Sequence, residues 1–342
     1  MTYEDRTTDG EIVEFLSSRM PKAVSEEKFS GVVLFARGDE VLYHEAFGLA
    51  SRRHGVANRI DTRLNLASSS KMFTSVVIGQ LVESGELSFD DAIGEYVGSD
   101  WISPEVGKKV RISHLLCHTS GLGMFWDGWE SHALTVRSIS DFRPLFSDKL
   151  AFEPGEKHEY SNSGYLLLGL VIEKVVARDY YEVIGERIFE QCGMRDSGFF
   201  EMDIPHENLA TGYFEDEDDG GRLKDNTLFQ GLRGSPAGGG WSTTADLHRF
   251  FRSLSDGALV GAEMLETLCT PKPPSTDYGY GFQSEDGWIG HWGGFPGVES
   301  FPMYFPKSER TLVVLSNYYD GALPLIKDLS KRFGDIAEAL PS

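Results

Sequence analysis

Ser68-Ser69-Ser70-Lys71-Met72-Phe73-Thr74-Ser75-Val76-Val77-Ile78 is the stretch on which the reading of this chain turns. Small hydroxyl residues pass directly into an apolar run, which predicts a buried helix over residues 72–84 with Ser68 opening it. Ser68 and Lys71 are three apart, so they share one helical face. A lysine there can take the serine proton, provided burial or neighbouring cations suppress its own charge. Ser-x-x-Lys is weak evidence alone, since composition yields roughly one chance match in a chain of this length. Indeed there is a second match, Ser25-Glu26-Glu27-Lys28, but its surroundings are charged and would keep the lysine solvated. Taken singly, Ser68 is as well explained as a helix N-cap.

Two further clusters stand downstream. Tyr160-Ser161-Asn162 is the only Tyr-x-Asn in the chain and precedes a Leu-rich helical segment over 163–177. A phenol beside a lysine can relay protons, and an amide can orient a substrate. A turn that caps the following helix accounts for the same residues. His291-Trp292-Gly293-Gly294 falls on an expected strand over 288–292, with glycines that would let a ligand approach the backbone. Glycine-rich strand packing is the plainer account of it.

The rest of the chain frames these clusters. An apolar helical stripe covers 11–20, and a hairpin is signalled by Gly31–Ala36 and Val41–Tyr43 around Arg37-Gly38-Asp39-Glu40. Strands are expected over 278–282, 288–292, 300–305 and 311–315, and a last helix over 323–338. Strands at both ends with helices between them predict an α/β lobe that holds a mostly helical insertion. One catalytic domain, 1–342, is expected, its α/β lobe about 1–62 and 235–342 and its helical lobe about 63–234. The acidic run Glu215–Gly221 reads as a solvated turn before it reads as a calcium site.

Charge and cysteines narrow the function classes. There are 53 acidic residues against 32 basic ones, a formal charge of -21, which repels nucleic-acid phosphates and anionic membranes. Three scattered cysteines, Cys117, Cys192 and Cys269, form no disulfide framework or zinc pattern. The N-terminus lacks the apolar core of a signal peptide, and no apolar run is long enough to cross a bilayer, so a soluble, cytoplasmic protein is expected. His114 and His118 stand four apart but lack the glutamate of a zinc-peptidase motif. Gly-x-Ser-x-Gly is absent. No metal or cofactor is expected.

In combination the clusters carry more. Ser-x-x-Lys, then Tyr-x-Asn, then a strand bearing His-x-Gly resembles the ordered signature of serine β-lactamases and penicillin-binding proteins, with Tyr-x-Asn as in class C β-lactamases. The likeness continues in Leu115–Leu122, Phe152–Glu156, Gly193–Ser197, Ala237–Leu247 and Gly297–Ser300, and spans about residues 30–320. This resemblance to the β-lactamase-related serine hydrolases implies a two-lobed β-lactamase/transpeptidase-like fold, with an antiparallel sheet flanked by the terminal helices. It implies Ser68 as nucleophile, Lys71 and Tyr160 as its proton-handling partners, Asn162 as a substrate ligand, and an oxyanion hole from the backbone N–H groups of Ser68 and Gly294 beside Gly293. It also implies an acyl-enzyme. The chain departs from the pattern at one place: His291 stands where relatives that process β-lactams carry a lysine. A histidine is mostly neutral at pH 7, so it would hold a substrate carboxylate poorly until protonated towards pH 6. Trp292 would add bulk beside the site. A small carboxylic ester is therefore the expected substrate. A D-amino-acid peptide or a β-lactam is the alternative, and a non-catalytic binding protein that retains the fold is the alternative of another class.

Overall fold

Gly31-Val32-Val33-Leu34-Phe35-Ala36 is apolar at every position, as a strand buried on both faces must be. The computed structural model describes residues 7–26, 29–285 and 287–333 and sets this strand inside a seven-stranded sheet. Numbered in chain order, its strands are β1 (Gly31–Arg37), β2 (Glu40–Phe47), β3 (Gln283–Glu285), β4 (Trp288–Gly290), β5 (Gly293–Phe295), β6 (Val298–Phe305) and β7 (Arg310–Ser316). The order is β2-β1-β7-β6-β4-β3, and β5 also pairs with β6. All pairings are antiparallel, with Val33 and Phe301 both opposite Val314.

Each face of the sheet has its own cover. Helix α1 (Asp9–Ser25) and the C-terminal helix, which begins at Leu323, pack Leu16, Met20, Leu325 and Ile326 against Val33, Phe35 and Val314. The opposite face presents Val32, Leu34, Val313 and Leu315 to Phe250 and Phe251 and to the core of the helical insertion. Each large apolar side chain buried in this way contributes about 1.5–3 kcal/mol. The C-terminal helix is described as Leu323–Phe333. Its expected last residues, 334–338, lie outside the described part, as do the N-terminal residues 1–6.

Two helices of the insertion position the site. The first, α2 (Lys71–Glu83), buries Met72, Phe73, Val76, Val77, Ile78 and Leu81 completely. The second, α3 (Asn162–Val176), is capped by Ser161, whose hydroxyl accepts from the Gly164 N–H at 3.0 Å. Gly169 in α3 lets the Pro236–Ala237 segment lie against the helix, since a Cβ there would stand 2.3 Å from Pro236 Cγ.

Two expected strands differ. Residues 278–282 form a loop, because Gly281 takes φ +80°, which no strand sustains; only Tyr278 bridges to Gln283. His291 and Trp292 interrupt the edge between β4 and β5. Side chains satisfy their backbone groups instead: Ser69 Oγ donates to the His291 carbonyl at 2.6 Å, and Trp292 N donates to Gln283 Oε1 at 2.6 Å. The acidic run forms a hairpin turn in which Lys224 pairs with Asp216 and Asp219.

Candidate active site

Helix α2 does not begin at Ser68. A 3₁₀ turn, Ala67–Ser70, precedes it. Ala67 holds a left-handed backbone, φ +43°, a strained conformation for a residue with a Cβ. Its N–H donates to Asn65 Oδ1 at 2.8 Å. The next serines anchor the turn on both sides. Ser69 Oγ contacts Ser300 Oγ at 2.7 Å on β6, and Ser70 Oγ accepts from Gly240 N at 3.0 Å. Gly293 makes the sheet contact possible, because a Cβ there would lie 2.2 Å from the Leu66 carbonyl oxygen and 3.0 Å from Ser68 N. That glycine admits the protein's own backbone rather than a ligand.

Ser68 is left partly exposed, and Lys71 behind it is fully buried. Lys71 Nζ stands 3.2 Å from Ser68 Oγ. It donates to Asn162 Oδ1 at 2.8 Å and to the Ala237 carbonyl, and it has no carboxylate partner among the described residues. Burial pushes its pKa well below the ordinary lysine value. A neutral amine has two N–H donors and one lone pair. Two of the three neighbours are obligate acceptors, which uses both donors and leaves the lone pair for the Ser68 hydroxyl proton.

The ring of Tyr160 lies 4.7 Å from Lys71 Nζ. Its hydroxyl is buried beside Ser68 but forms no aligned hydrogen bond. Burial raises its pKa, against a smaller lowering from Ser68. Burial thus favours the protonated form of the phenol and the neutral form of the amine.

A cleft of about 540 Å³, open to solvent, lies in front of Ser68. Ser68, Asn162 and Gly294 line it; Lys71, Tyr160, His291 and Gly293 do not. Its walls are aromatic: Phe125, Trp126, Trp129, Phe142 and Phe295. Trp126 from the insertion meets Phe295 of β5 at 6.0 Å between ring centroids. Arg233 is the one charged residue in the lining among the described residues, and it is engaged elsewhere. Its guanidinium lies 3.6 Å over the Tyr181 ring and donates to the carbonyls of Phe199 and Arg137.

His291 departs most from expectation. It is 2% exposed and both ring nitrogens are bonded, Nε2 to Tyr278 Oη at 2.9 Å and Nδ1 to the Trp292 carbonyl. Burial first, and Lys71 second, depress its pKa to about 3. It neither faces the cleft nor charges near pH 6. Trp292 also points away, its ring packed behind Gly294 and against Phe301. Sequence reasoning passed over Tyr278, Ala237 and Arg233 as site residues. Tyr278 lies in a Tyr-Gly-Tyr-Gly run that looks like a strand, Ala237 opens one of the stretches of family likeness without a side chain to suggest a role, and nothing local marks Arg233.

A serine presented from the turn that leads into a helix, backed by a buried lysine and set between a sheet edge and a helical lobe, defines a penicillin-recognising type of serine hydrolase. The chain matches the Beta-lactamase family over residues 16–329 and belongs to that family. It is 32% identical over 319 residues to penicillin-binding protein 4* of Bacillus subtilis, covering 85% of this chain and 69% of the relative. It is 30% identical over 225 residues to esterase EstB of Burkholderia gladioli, covering 61% and 57%. The penicillin binding protein structure from Bacillus halodurans superposes with a TM-score of 0.83 at 30% identity, covering 92% of this chain and 99% of that one. No helix among the described residues is long and apolar enough to cross a membrane.

Proposed function

We propose that this protein hydrolyses small, uncharged carboxylic esters through an acyl-enzyme on Ser68. The observation that carries the reading is the buried Lys71 Nζ, 3.2 Å from Ser68 Oγ and without a counter-ion among the described residues. Ser68 Oγ bonds to the ester carbonyl carbon and its proton passes to Lys71. The oxyanion is received by the backbone N–H groups of Ser68 and Gly294. Tyr160, protonated at rest, gives its proton to the leaving alkoxide oxygen as the C–O bond breaks, and the proton that Lys71 took from Ser68 passes to the phenolate and restores the phenol. Water then attacks the acyl-enzyme by the reverse proton path and releases the acid. One group pushed down and its neighbour pushed up is the arrangement that separates base from acid.

The preference for an uncharged ester rests on the cleft. Its walls are aromatic, its single cation is engaged, and the histidine at the third cluster is buried and neutral. A substrate carboxylate would find no uncommitted cation there among the described residues. The esterase relative adds support. The penicillin-binding relatives favour a second reading, an amide or β-lactam substrate.

Labelling with a fluorophosphonate followed by peptide mapping tests the nucleophile, and a panel of nitrophenyl esters, D-amino-acid amides and penicillins tests the substrate. Adduct on Ser68 with ester turnover supports the reading. Adduct on another serine, or turnover of amides alone, defeats it.

A further inference from the structure

Three buried rings outside the Ser68–Lys71–Tyr160 cluster are joined end to end. His118 is fully buried, Tyr278 is 4% exposed and His291 is 2% exposed. His118 Nδ1 accepts from the backbone N–H of Ser161 at 3.1 Å. A nitrogen that faces a donor must be unprotonated, so the neutral ring carries its hydrogen on Nε2. That hydrogen goes to Tyr278 Oη at 3.0 Å. Tyr278 then has its own proton to give, and His291 Nε2 receives it at 2.9 Å. His291 must carry its hydrogen on Nδ1, which faces the Trp292 carbonyl, a group that only accepts. Four hydrogen bonds thus run in one sense, and one tautomer of each imidazole satisfies them all.

The two ends of this line are the two sides of the cleft. Ser161 lies between Tyr160 and Asn162, and the His118 ring also packs on the Tyr160 ring at 4.2 Å between centroids. Trp292 leads into Gly293 and Gly294. The Tyr160 hydroxyl has no aligned hydrogen bond of its own, so the phenol is held by its backbone and by ring contacts, the His118 face and Lys71 Nζ among them. We infer that His118, Tyr278 and His291 are positioning residues, one hydrogen-bonded line that fixes the Tyr160–Asn162 turn against the Trp292–Gly294 edge. The inference rests on the proposed roles of Tyr160 and Gly294.

The line works only while both imidazoles are neutral. A proton on His118 Nδ1 would confront the Ser161 N–H. A proton on His291 Nε2 would take the place of the one Tyr278 gives it and force that hydroxyl proton to turn away. The other ionisable groups packed around them are Lys71, His158, Tyr160 and Tyr165. None is acidic at neutral pH, and Tyr165 gives its proton to the Leu116 carbonyl at 3.0 Å.

Tyr278→Phe keeps the ring and removes the link. We expect kcat on the best ester to fall roughly 10- to 100-fold, the range for slightly misplaced catalytic groups, with KM nearly unchanged. The acid limb of the pH profile should move towards neutrality, because His291 Nε2 is freed to take a proton. A plain loss of folded protein would lower the active fraction without moving that limb. Nitrogen-15 NMR of the full-length protein gives a readout independent of turnover. It should show His118 as the Nε2–H tautomer and His291 as the Nδ1–H tautomer, both neutral between pH 5 and 8. The reversed tautomers, a charged ring in that interval, or a Tyr278→Phe enzyme with unchanged kcat and unchanged acid limb would overturn the inference. If wild-type Ser68 takes no fluorophosphonate, the hydrolase reading fails, and the tautomers still decide whether the line exists.

Discussion

Lys71 Nζ stands 3.2 Å from Ser68 Oγ, and its other two polar neighbours, Asn162 Oδ1 and the Ala237 carbonyl, can only accept hydrogen bonds. Three elements distant in sequence supply those neighbours: the 3₁₀ turn, the start of α3 and the segment after Pro236. In the proposed mechanism these neighbours direct the Lys71 lone pair at one hydroxyl.

Ser68→Ala should abolish ester turnover, with a loss on the order of 10⁴-fold or more in kcat for a missing nucleophile. Ser25→Ala should match wild type. Ser25 is exposed at the end of α1, where its hydroxyl donates to the Lys22 carbonyl at 2.9 Å; Glu27 and Lys28 of that second match lie outside the described residues. Steady-state rates on one nitrophenyl ester compare the two, and an active Ser68→Ala enzyme would refute the assignment.

Lys71→Ala and Tyr160→Phe should each cost activity, and the double variant should lose far less than the product of the two. Residues that act as one unit are non-additive. Rates of all four proteins on the same ester settle this, and strictly multiplicative losses would mean that the two groups work separately.

The pH profile should follow Lys71. Its pKa is lowered by burial, so the neutral amine is present above that lowered value and disappears as pH falls through it. Activity should therefore be present above that lowered value and fall away as pH drops through it. His291, with its pKa near 3, stays neutral throughout. The ratio of rates on an anionic and an uncharged ester should accordingly stay flat between pH 8 and pH 6, measured at constant ionic strength. A selective gain for the anionic ester at pH 6 would show that a histidine charges in the cleft after all.

Trp126→Ala should discriminate among acyl groups. Trp126 is 39% exposed and closes one side of the cleft against Phe295. Its removal should lower kcat/KM for a phenylacetyl ester by roughly 10-fold or more, the scale of lost contact with one apolar group, and leave an acetyl ester within about twofold. Equal losses on both would mean that the wall does not contact the acyl group. Efficient penicillin turnover by the wild type, at or above the best ester, would reverse the reading of the cleft.

Much of this protein is legible in its residues. The apolar run after Lys71 fixes a buried helix, because saturation of every face leaves no side for water. The even apolarity of residues 31–36 fixes a central strand for the same reason. Serine and lysine three apart, the serine in the 3₁₀ turn that leads into that helix and the lysine at its start, share a face, so their pairing is local geometry. The order of the three clusters then carries the family.

The third cluster was decided by tertiary structure alone. Periodicity places His291 near a sheet edge but cannot say which way its ring turns. It turns inward because Tyr278 and the Trp292 carbonyl saturate both nitrogens, and Tyr278 is in turn held by His118, 160 positions away. Nothing in the sequence marks Arg233, and only the fold sets its guanidinium over the Tyr181 ring. Such facts depend on which side chains from remote segments compete for one donor or acceptor, and that competition is resolved only when the chain has closed around them.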